Sequence, residues 1–102
     1  MSLYAVTYTY VTDEARLAEI RPEHRAFLGS LADEGIVLLS GPTAGDGPGD
    51  ALILLRAGSA EDARSALDRD PFQVNSLVTN VSVAEWNPVL GAWRTGALAG
   101  EL

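Results

Sequence analysis

Four stretches with strand character and two with helical spacing follow one another in the order β-α-β-β-α-β within 102 residues, a single-domain length. Chains of that order lay both helices on one face of an antiparallel sheet, so the sequence predicts an α+β, ferredoxin-like fold. The third strand is apolar on both alternating faces, as a strand covered on two sides requires. Val6, Tyr8 and Tyr10, with alternate residues of the third and fourth strands, are expected on the face away from the helices. That surface is large enough to favour a homodimer joined sheet to sheet. The domain is expected to span residues 1–88, with residues 89–102 as a C-terminal tail, packed or disordered.

The first strand, Leu3 to Val11, alternates Tyr4, Val6, Tyr8 and Tyr10 with Leu3, Ala5, Thr7, Thr9 and Val11, a composition that suits a pleated sheet. Thr12-Asp13-Glu14 supplies cap-type residues for a short helical turn over Ala15 to Ile20. Pro22 reads as the first position of the main helix, where its missing N–H costs nothing. That helix runs to Glu34 and stops at Gly35. Ile36 to Ser40 is the second strand, ended by Gly41-Pro42. Four glycines and two prolines between Gly41 and Asp50 make a long hairpin loop, and Ala51 to Leu55 is the third strand. Ser59 caps the second helix, with Asp62 as its capping-box partner and Ala60, Ala63, Ala66 and Leu67 as the apolar stripe. Pro71 ends that helix near Asp70. Phe72 to Ser76 reads as a turn, Leu77 to Trp86 as the fourth strand, and Asn87-Pro88 closes the regular fold.

Fourteen carboxylates oppose seven arginines and no lysine, for a formal charge of -7. The arginines are scattered, so the clustered cations that nucleic acid or an anionic membrane surface requires are absent from the sequence. There is no cysteine, hence no disulfide framework and no thiolate chemistry. The sequence offers neither a secretory leader nor a membrane-spanning run, and a cytoplasmic protein is expected.

The sole histidine, His24, shares its helical stripe with Phe27, Leu28 and Leu31, so its imidazole is aimed at the sheet. On the second helix Ala63, Ala66 and Leu67 lead at the same spacing to Asp70, which is aimed inward as well. One histidine and one carboxylate therefore converge on the same interior, a combination that tunes an imidazole for proton transfer. The same residues also fit plainer roles, a satisfied core histidine and a turn aspartate bonded to local backbone. Ser40 and Gly41, at a strand end, can present a hydroxyl and an amide to a ligand, or simply end the strand. Arg25 is expected off the face of His24, as a solvated charge. A lone histidine without a carboxylate cluster is poor metal-ligand stock, and no metal is expected.

Arg21-Pro22-Glu23-His24-Arg25-Ala26-Phe27-Leu28, then Gly35 and Ser40-Gly41-Pro42, then Asp70-Pro71-Phe72, resemble in order and spacing the YciI-like (YCII-related) domain family over residues 3 to 87. The resemblance implies a ferredoxin-like fold paired into a dimeric α+β barrel, with a pocket centred on a histidine and an aspartate that match His24 and Asp70. It also implies kinship to a dehydrochlorinase acting on a chlorinated hydroxyhydroquinone. Together these readings give a small cofactor-independent enzyme, lyase-like or isomerase-like, with His24 and Asp70 as a catalytic dyad and Ser40 and Gly41 as substrate contacts. Two alternatives stand beside it: a noncatalytic small-molecule-binding or dimeric interaction module, and, by fold analogy alone, a cofactorless oxygenase.

Overall fold

A computed structural model describes residues 1–95. The elements are β1 (Ser2–Tyr10), α1 (Glu14–Asp33), β2 (Val37–Pro42), β3 (Ala51–Ala57), α2 (Ala60–Ala66), α3 (Pro71–Val74) and β4 (Val78–Trp86), followed by a 3-10 turn at Ala92–Thr95. The four strands form one antiparallel sheet in the order β2-β3-β1-β4, an α+β arrangement compatible with a ferredoxin-like fold. The two central strands, β3 and β1, are the most deeply buried.

α1 is longer than the sequence suggests. Asp13 caps it, accepting the Arg16 N–H at 3.0 Å, and the helix then runs unbroken past Pro22. The proline withholds one hydrogen bond, at a cost of about 3 kcal/mol in a helix interior. Continuing the helix buries Leu17 and Ile20 against Phe72 and Leu77, and each such burial returns about 1.5–3 kcal/mol. Packing therefore outweighs the proline, and the expected break between a short turn and a main helix does not occur. At the other end Gly35, at φ +76°, donates to Ala32, while Ile36 donates to Leu31. That paired arrangement is the glycine stop the sequence calls for.

The second helix departs from expectation in the opposite sense. α2 stops at Ala66, and Asp70 lies beyond it as the N-cap of the four-residue α3, where Pro71 occupies the first helical position. The stretch read as a plain turn from Phe72 to Ser76 thus begins inside a helix.

The faces of the sheet are also reversed relative to the sequence reading. Tyr4, Val6 and Tyr8 point toward the helices, packed with Ile53 and Leu55 of β3 against Leu28, Ala63 and Leu67. The opposite face carries Leu3, Ala5 and Thr7 across from Leu54 and Leu52 of β3 and from Trp86, Ala84 and Ser82 of β4. Alternation alone could not orient β1, because β3 is apolar on both sides; the polar tip of Tyr8 decides, as its hydroxyl has a partner only in the core. On the outer face Leu3 and Leu54 are buried, but Leu39, Leu52 and Trp86 remain about half exposed. Trp93, from the segment after β4, stands beside them over a shallow apolar groove. The expectation of a packed or disordered tail falls in part on residues 96–102, which lie outside the described residues.

Candidate functional site

α1 and the edge strand β2 diverge to leave a cavity of about 470 Å³. Its floor is β3, through Ala51 and Ile53, and its inner end is closed by Tyr10 and Phe72. The flank of α1 that faces β2 presents Gly29 and Ala32, whose small side chains leave the space unfilled. A volume of this size suits a small organic molecule.

His24 stands at the inner end. It is 8% exposed, and its ring stacks on Phe72 with centroids 4.0 Å apart and planes 7° from parallel. Nδ1 lies 2.8 Å from Asp70 Oδ1 and 2.9 Å from Oδ2. Asp70 is fully buried, and its carboxylate also accepts the Tyr8 hydroxyl at 2.8 Å and the Phe72 N–H at 3.0 Å. Burying a carboxylate is expensive unless donors surround it, and here the histidine, a phenol and a helix-start amide do so. An ionised carboxylate can only accept, so the proton of the imidazole sits on Nδ1. Nε2 bonds to nothing among the described residues. Since no buried side-chain nitrogen or oxygen there lacks a partner, Nε2 must open to the cavity that His24 lines.

A further layer holds Asp70 in turn. Gln73 donates from Nε2 to the Tyr8 oxygen and to the Leu67 carbonyl, each at 3.0 Å, tying α3 to β1 and to the end of α2. Burial and then the Asp70 charge hold the Tyr8 phenol protonated far beyond the usual phenol range, so it acts as a fixed donor. Tyr10 is pushed upward for the same two reasons, while the Arg21 charge pulls it back. Tyr10 lines the cavity in the neutral form.

The structure brings His24 and Asp70 into direct contact, though by a route the sequence did not reveal: Asp70 is delivered by the cap of α3, not by the stripe of α2. Ser40 and Gly41 line the opposite wall of the same cavity. Ser40 pairs with Ile53 and so faces the helix side, whereas Gly41 pairs with Leu52. Arg25 is exposed, as expected of a solvated charge, but it stands at the cavity with Arg21 and not away from it. Sequence reasoning missed Gln73 and Phe72, and it left the β1 tyrosines, Tyr8 and Tyr10, to packing. One signal was available, because tyrosines on an inward face need partners for their hydroxyls. Among the described residues no three histidine, aspartate or glutamate side chains converge as a metal cluster, and no helix is long and apolar enough to cross a membrane.

The family model of the YCII-related domain matches residues 2–87. No curated protein matches the chain. Among solved structures it is similar to 5-chloro-2-hydroxyhydroquinone dehydrochlorinase from Burkholderia phenoliruptrix AC1100 in complex with 2,5-dihydroxybenzoquinone. Identity is 22%, the TM-score is 0.69, and the match covers 83% of this chain and 93% of that one. At this identity the likeness speaks for the fold.

Proposed function

We propose that this chain, which belongs to the YCII-related domain family, is a small-molecule enzyme that moves a proton with His24. One observation carries the reading: a buried carboxylate stands 2.8 Å behind Nδ1, and Nε2 is left unbonded at a cavity of about 470 Å³. Nε2 takes a proton from a carbon or hydroxyl of the substrate. The electron pair left behind then expels a leaving group from the neighbouring atom, as in a lyase. Alternatively it shifts along the molecule, which collects a proton at another atom, as in an isomerase. The imidazolium formed in the step keeps its Nδ1–H on Asp70, whose negative charge stabilises it. Asp70 is thus a positioning and charge-stabilising residue. Ser40 and the Gly41 amide contact the substrate from the far wall, and the Tyr10 phenol is a neutral donor at the inner end, with His24. The dehydrochlorinase with a similar fold supports an elimination, since removing a proton and a chloride is a reaction of this type.

Chloride release from 5-chloro-2-hydroxyhydroquinone is the first assay. We expect His24→Gln to lower turnover by about 10²–10⁴-fold, the usual contribution of a general base. Full turnover by that variant would remove the catalytic role. Weaker ligand binding with no turnover in either protein would favour a binding module.

We further propose a homodimer joined through the outer face of the sheet. Its support is the half-exposed cluster of Leu39, Leu52 and Trp86. Light scattering should report a dimer, and Leu52→Glu should give a folded monomer; a monomeric native chain would contradict the proposal.

A further inference from the structure

The walls of the cavity carry a charge opposite in sign to the rest of the molecule. Among the described residues no carboxylate lines it, whereas two arginines, Arg21 and Arg25, do. The two are one helical turn apart, an arrangement in which like charges disfavour the helix slightly. Neither has relief from its own helix. The positions three and four residues away are Leu17, Ala18, His24 and Arg25 for Arg21, and Arg21, Pro22, Leu28 and Gly29 for Arg25, with no carboxylate among them. Neither guanidinium is in an ion pair with any described residue. The carboxylate closest in chemistry, Asp70, is spent on His24, Tyr8 and the Phe72 amide. Arg21 also acts on Tyr10 across the cavity, lowering the cost of negative charge there. Beyond the arginines the lining turns apolar, with Leu28, Val37, Ile53 and Phe72.

We propose that the cavity takes a small organic carboxylate, its anionic end held by Arg21 and Arg25 and its apolar body lying between α1 and β2 toward His24. The proposal rests on the reading of this cavity as the substrate site and sets its substrate class apart from the phenol on which the dehydrochlorinase acts. The guanidinium fork matches a carboxylate in two parallel hydrogen bonds. A cation finds no counter-charge on these walls, and a bare inorganic anion leaves the apolar floor uncovered. The net charge of -7 does not prevent binding, because at physiological salt the field of distant carboxylates is screened within about 8 Å. The anchor also fixes orientation. With its charged end at the arginines, the molecule offers its other end to Nε2.

Benzoate tests this directly, with benzamide as its neutral counterpart of the same shape and inorganic phosphate as an anion without an apolar body. In amide NMR titrations of the intact protein, benzoate should shift Gly29, Ser40 and Gly41 with a Kd on the order of 1 mM, as expected for so small a ligand. Benzamide and phosphate should each bind at least roughly tenfold more weakly, and Arg21→Gln and Arg25→Gln should each weaken benzoate by a similar factor. Neither arginine is in an ion pair or hydrogen bond with a described residue, so these variants keep their fold. No benzoate binding at the cavity, equal binding of benzamide or phosphate, or indifference to both substitutions would overturn the proposal. His24→Gln separates the two readings, since it should still bind benzoate whether or not His24 is a catalytic base.

Discussion

Replacing Asp70 by asparagine keeps the shape of the side chain and removes both its charge and one acceptor oxygen. In the native site His24 Nδ1–H, the Tyr8 hydroxyl and the Phe72 N–H all point at that carboxylate, at 2.8, 2.8 and 3.0 Å. The asparagine carbonyl cannot serve all of them, and its NH2 faces one donor with another. A stranded buried donor costs about 1–3 kcal/mol. At about 2 kcal/mol, Tm should fall by about 8–16 °C in a domain of this size. The chemical consequence is larger. If the NH2 group donates to Nδ1, the imidazole proton moves to Nε2, which then faces the cavity with a hydrogen in place of its lone pair. Turnover should drop by about 10²–10⁴-fold, the worth of a general base. The ¹⁵N shifts of the imidazole report the tautomer without any substrate: Nδ1–H in the native protein, Nε2–H in the variant. An Asp70→Asn protein that keeps its proton on Nδ1 and its full turnover would refute the coupling.

Tyr8→Phe removes one donor to Asp70 and the acceptor for Gln73, and should destabilise the fold by about 1–3 kcal/mol in urea titrations, with a smaller loss of activity than Asp70→Asn. The pH dependence follows from the upward shift of the Tyr8 phenol, set first by burial and then by the Asp70 charge. Its contribution is intact below about pH 10, where the unfolded phenol is still protonated. Above that, the unfolded chain loses the proton first, and stability falls by about 1.4 kcal/mol per pH unit from this group. Urea midpoints on either side of pH 10 should show the slope, and Tyr8→Phe should reduce it; an unaltered slope would contradict the assignment. Gly29→Ala should stabilise the protein by about 0.5–1 kcal/mol, because a helical glycine is replaced where nothing lies within 4 Å of the added carbon. A lowered Tm would contradict that. Pro22→Ala should also raise Tm by restoring the missing α1 hydrogen bond, and an unchanged or lower Tm would contradict that.

Much of this architecture was legible because local signals agreed with the global one. The cap at Ser59, the stop at Gly35 and the glycine-rich loop before Asp50 each encode a boundary in the residues at that boundary. The reversed face of the sheet and the uninterrupted α1 were not legible, for a common reason. Both depend on partners distant in sequence: Tyr8 on Asp70, sixty-two residues later, and the proline-bearing turn of α1 on Phe72 and Leu77. The site divides along the same line. His24 could be found from its own helix, but the geometry that makes Asp70 its partner comes from a capping role that helical projection does not describe. Arg25 illustrates the limit best, for its position one residue after His24 puts it off the buried stripe yet toward the cavity that Gly29 and Ala32 also line.

Ser40, Gly41 and Pro42 border the cavity of His24 on one side and the apolar groove of Leu52, Trp86 and Trp93 on the other. A single strand is therefore the wall between two compartments. In the proposed dimer, a partner seated in the groove and a ligand seated in the cavity would press on the same stretch of β2, Leu39 to Pro42, from opposite directions. Linkage then runs both ways: whatever factor assembly lends to ligand affinity, the ligand must return to assembly. Specific activity would then change with protein concentration in whichever direction that factor points.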